Sequence, residues 1–65
     1  MVTAKRRSAR MKRYFALGNA QFEVFDTLEA GDLSRLRRAV RKLSTECNRT
    51  AQFWQKQAER LAKKA

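Results

Sequence analysis

From Leu33 onward, apolar or small residues recur at Leu33, Leu36, Val40, Leu43, Cys47, Thr50, Trp54 and Leu61, with Gln57 in the remaining slot. The steps alternate between three and four, as on the a/d seam of a coiled-coil helix, and predict one helix from about Leu33 to Lys63. The segment before it repeats the pattern more loosely through Met11, Phe15, Gly18, Phe22 and Phe25, flanked by Tyr14, Leu17, Val24 and Leu28. That predicts a first helix from about Ala4 to Ala30 whose apolar face is wide enough to meet two neighbours. Between them, Gly31 occupies the position where a left-handed residue ends a helix, and Asp32 can cap the next one, so the turn is placed at 30–32.

At 1.5 Å per residue these helices would be about 40 and 47 Å long, a match that suits an antiparallel hairpin. Folding about Gly31 would set Phe25 near Leu36 and Val40, Phe22 near Val40 and Leu43, Phe15 near Cys47, and Met11 near Thr50 and Trp54. Two helices alone bury one stripe each. The expected architecture is therefore all-α, a two-helix hairpin pairing into a dimeric four-helix bundle, with Phe22, Phe53 and Trp54 as candidate contacts between copies. Residues 1–13 form a basic N-terminal arm or helix extension and residues 14–65 the hairpin proper. Gly18 in mid-helix costs about 1 kcal/mol relative to Ala and marks a close approach, a kink or the start of the ordered helix.

Composition narrows the function. A chain of 65 residues buries only about 60% of the surface its unfolded form exposes, so help from outside the monomer is expected. With one Cys and no His, neither an intrachain disulfide nor a zinc site can be built. No His, Cys or paired-carboxylate set converges for acid–base or nucleophilic chemistry, so no enzyme, metal or cofactor is expected. No apolar run reaches the roughly 20 residues that span a bilayer, and Met1 to Arg13 lacks the apolar core of a secretory signal. The expected setting is soluble, cytoplasmic or nucleoid-associated, without a membrane partner.

Charge supplies the positive clue. The chain carries 16 Lys+Arg and 6 Asp+Glu, a net +10, and the charge is segregated: +6 over residues 1–17, −4 over 18–32, +5 over 33–50 and +3 over 51–65. Lys5, Arg6, Arg7, Arg10, Lys12 and Arg13 form an acid-free run suited to phosphates, with a nuclear-localisation run as another use of the same residues. If Leu33 is heptad position a, then Arg35, Lys42, Arg49, Lys56 and Lys63 all take position c, a stripe directed away from the predicted seam that Arg38, Arg41 and Arg60 widen. Its length of about 42 Å exceeds one turn of a duplex of about 34 Å pitch. The carboxylates Glu23, Asp26, Glu29 and Asp32 are expected to pair, within or between hairpins, with Arg35, Arg37, Arg38 and Arg41 opposite them and so set register. Nucleic acid, DNA or RNA, held by its phosphate backbone is thus the first expected partner, a second copy of the chain another. The alternative is a structural or adaptor subunit of a larger assembly, docking an acidic protein surface.

Overall fold

The computed structural model describes residues 4–64, with side chains from Ser8 onward. Two helices, α1 (Ala4–Ala30) and α2 (Leu33–Lys64), pack antiparallel as a hairpin with extents of 49 × 19 × 11 Å. No strand occurs among the described residues. Helix bounds and turn match the sequence pattern, and α1 runs without interruption through Gly18 and the basic block from Ala4.

The turn is built as the residue types predict. Gly31 adopts φ 68°, a left-handed conformation that costs a side chain with a Cβ about 1–2 kcal/mol. Its N–H donates to the Leu28 carbonyl at 3.1 Å, and that of Asp32 donates to the Thr27 carbonyl at 3.2 Å. This pair of bonds is the Schellman closure, which satisfies carbonyls the ending helix leaves open. Asp32 then starts α2: its Oδ1 accepts from the Arg35 N–H at 3.2 Å, and its carbonyl accepts from the Leu36 N–H at 2.8 Å. One residue therefore finishes one cap and begins the next, leaving no slack in the hinge.

The packed seam differs from the predicted one. On α2 the residues shielded from solvent are Leu36, Ala39, Leu43, Glu46, Thr50, Phe53 and Gln57, and every other described residue from Leu33 to Lys64 is exposed. On α1 the buried positions are Ala20 and Thr27, with Arg13, Ala16, Leu17, Glu23 and Val24 half-buried beside them. The column Val40, Cys47 and Trp54, expected in the seam, is thus replaced by Ala39, Glu46 and Phe53, one residue earlier. Phe22 and Phe25 lie on the side of α1 away from α2, 67% and 58% exposed, so the expected Phe22–Val40 and Phe25–Leu36 packing is absent.

The physical reason is ambiguity in the pattern. Three adjacent heptad columns of α2 are wholly or partly apolar, and packing against one helix uses only two. The pair in use brings Ala39 against the small residues of α1, and among the described residues Ala20 and Ala39 are the buried apolar side chains and no large side chain is fully enclosed. Small residues let helix axes approach at the near end of the usual range of about 8–10 Å. Thr27 enters this seam without penalty because its hydroxyl donates back to the Glu23 carbonyl at 2.8 Å, with that of Val24 at 3.1 Å.

Candidate nucleic-acid interface

Cations from both helices meet because the chain doubles back. Residues 4–17 and 48–64, which the hairpin places together at its open end, carry eleven basic residues and one acidic one. Residues 18–47, the half containing the turn, carry five of each. The whole net charge of +10 therefore belongs to one half of the rod. Such a concentration sets up a directed field that draws polyanions toward that end.

Helix stability does not explain this placement. The first turn of α1 contains no acidic residue and its last turn no basic one, whereas the macrodipole favours the reverse at both ends. Only α2 ends in agreement with its dipole, at Lys63 and Lys64. The charges of α1 are thus maintained against a small local cost, typically about 0.3–1 kcal/mol per charge near a helix end.

Individual cations fall into three groups. Arg10, Lys12, Arg35, Arg38, Arg41, Lys56 and Lys63 are exposed and make no carboxylate pair among the described residues. Arg13 instead turns inward, its guanidinium donating to Glu46 Oε2 at 3.0 Å, while Arg49 donates to Glu46 Oε1 at 3.2 Å. Lys42 reaches across the hairpin to Glu23 Oε2 at 3.3 Å. Three of the residues picked out from the sequence as phosphate contacts therefore hold carboxylates. Of the acidic block only Glu23 is paired among the described residues, with Lys42, and Arg35, Arg37, Arg38 and Arg41, expected opposite that block, make no carboxylate pair there. The side chains of Lys5, Arg6 and Arg7 lie outside the described residues.

With the true seam one column over, Arg35, Lys42, Arg49, Lys56 and Lys63 do not point directly away from α1. They flank the seam on one side, where the Glu23–Lys42 pair marks the polar face of the hairpin. Toward the open end an open cleft of ≈ 410 Å³ is lined by Arg10 of α1 and by Trp54, Gln57, Ala58, Arg60, Leu61 and Lys64 of α2. Three cations drawn from both helices suit contact with a phosphate backbone. Lys64 gains importance only here, since it lies outside the heptad column of the stripe and becomes a neighbour of Arg10 and Arg60 through the fold.

Aromatic residues pair along each helix, Tyr14 edge-on to Phe15 with centroids 5.6 Å apart and Phe53 edge-on to Trp54 at 5.2 Å. Phe53 sits half-buried in the seam, whereas Phe22 and Trp54 are exposed. Among the described residues no cluster of His, Cys, Asp and Glu could hold a metal ion, and no helix is long and apolar enough to cross a membrane. No family model, curated protein or solved structure matches the chain.

Proposed function

We propose that this protein binds nucleic acid, DNA or RNA, through the phosphate backbone, reading shape rather than sequence, and that it does so as a dimer. The observation that carries the reading is the gathering of the full net charge at the open end of the hairpin, against the preference of the α1 dipole. Phosphates would contact Arg10, Lys12, Lys56, Arg60, Lys63 and Lys64, and the acid-free sequence around Lys5, Arg6 and Arg7 makes those three further candidates. Long flexible cations on smooth helix surfaces position a backbone but offer no fixed pattern to base edges.

Salt dependence tests it. Replacing Lys56, Lys63 and Lys64 together with Gln is expected to flatten the slope of log K against log salt by about one unit for each phosphate no longer neutralised. Replacing Arg37, Arg38 and Arg41 in the neutral half should leave that slope in place. Equal slopes for the two triple variants and the parent would sink the proposal.

The exposed apolar face of α1 favours a second reading, a subunit docked on a larger assembly through an acidic protein surface. Recovery of a partner that persists after nuclease treatment supports that reading. Loss of all partners on nuclease treatment supports nucleic acid.

A further inference from the structure

The hairpin leaves one broad face apolar. Opposite the polar face marked by Glu23 and Lys42, α2 presents Leu33, Val40, Cys47, Trp54 and Leu61 in a single column with a spacing of seven. Beside it α1 presents Leu17 and Val24, then Tyr14 and Leu28, before the surface turns outward to Met11 and Phe25. Most of these side chains are about half exposed or more.

The exposed area is far above that of a finished fold. The hairpin exposes 5754 Å², against about 4,300 Å² for a compact monomer of its mass. Two such hairpins closing into a body of ordinary compactness would remove about 4,400 Å², within the range of about 2,000–5,000 Å² typical of obligate dimers. A second copy of this chain therefore has the right area to cover the face.

Symmetry and charge fix how it would sit. The α2 column is centred on Cys47 and superposes on itself when reversed, so that Leu33 meets Leu61 of a second copy and Val40 meets Trp54. At nearly the same level α1 has Gly18, where an added Cβ would meet nothing within 4 Å. Nothing inside the hairpin demands a glycine there, whereas a second α1 crossing at that point would gain from its absent side chain. A parallel arrangement would superpose two ends each bearing the full +10. The reversed one places the strongly basic end of each hairpin beside the neutral, turn-bearing half of the other, which avoids that repulsion.

We infer that two copies pair through this apolar face about a two-fold axis passing near Gly18 and Cys47, with the open end of each hairpin beside the turn of the other. The inference deepens the dimer part of the proposed function and fixes its geometry, independently of what the cations bind.

Cross-linking of the full chain tests it. Sedimentation should give a dimer at micromolar concentration, and mild oxidation or a short bis-maleimide should join Cys47 to Cys47 of a second copy in high yield. In a Cys47→Ser background, chains carrying Leu33→Cys and chains carrying Leu61→Cys should cross-link when mixed but not separately. A monomer, or a dimer in which Leu33→Cys chains link to one another, overturns the arrangement. Duplex binding followed by gel shift on the unmodified chain separates the two ideas. Duplex binding by a monomer defeats this inference alone, and a cross-linked dimer indifferent to duplex defeats the nucleic-acid reading alone.

Discussion

Glu46 is the most consequential single residue of the seam. It is 8% exposed yet accepts from two guanidiniums, those of Arg13 on the facing helix and Arg49 one turn away. A carboxylate in that position persists because its hydrogen bonds replace the water it lost, and removing it strands Arg13, whose side chain is only 22% exposed. Glu46→Gln should cost about 1–3 kcal/mol in chemical unfolding. The double change Arg13→Met with Glu46→Leu should recover most of that loss, because filling the space with apolar groups abolishes both desolvation penalties. Additive losses in the double variant would show that the pair is not a coupled unit. Thr50 is the other polar resident of the seam, and its buried hydroxyl has no partner among the described residues.

At the scale of elements, the two glycines have opposite roles. Gly31 holds the left-handed backbone that closes α1, so Gly31→Ala should lower stability by about 1–2 kcal/mol in denaturant titrations. Gly18 lies in ordinary helix with open space around it, and Gly18→Ala should not destabilise the isolated hairpin. A loss at Gly18 equal to that at Gly31 would contradict this assignment. The lengths of both helices, the turn and its caps were legible in the sequence because they depend on local chemistry, the left-handed glycine and the Asp32 cap above all. The facing columns were not legible. Leu33, Val40, Cys47, Trp54 and Leu61 are as apolar as a seam column needs to be, and periodicity alone does not say which neighbour covers them.

For the whole molecule, charge and apolar surface occupy different regions. The reversed dimer proposed above would hide the apolar face and place its two strongly basic ends at opposite ends of a bundle about as long as the hairpin, 49 Å. Each end would then hold its own stretch of phosphate backbone. Titration with a short duplex of about 10 base pairs, roughly one helical turn, should saturate at two duplexes per dimer. Saturation at one duplex per dimer would place the two basic ends on a common surface instead. Raised salt should release duplex while leaving the dimer intact, since counterion release governs the first and apolar burial the second.

The sequence alone determined an all-helical chain of two matched helices, one turn and a net charge of +10. Those properties follow from residue type, short-range periodicity and simple counting. Tertiary structure decided which columns meet, turning Arg13 inward and Phe22 and Trp54 outward, because several apolar columns competed for one partner helix. It also decided where the charge acts. Two basic segments separated by the length of the chain become one basic surface only when the turn at Gly31 brings the helices side by side, and the field at a point depends on distance through space, which linear order does not record.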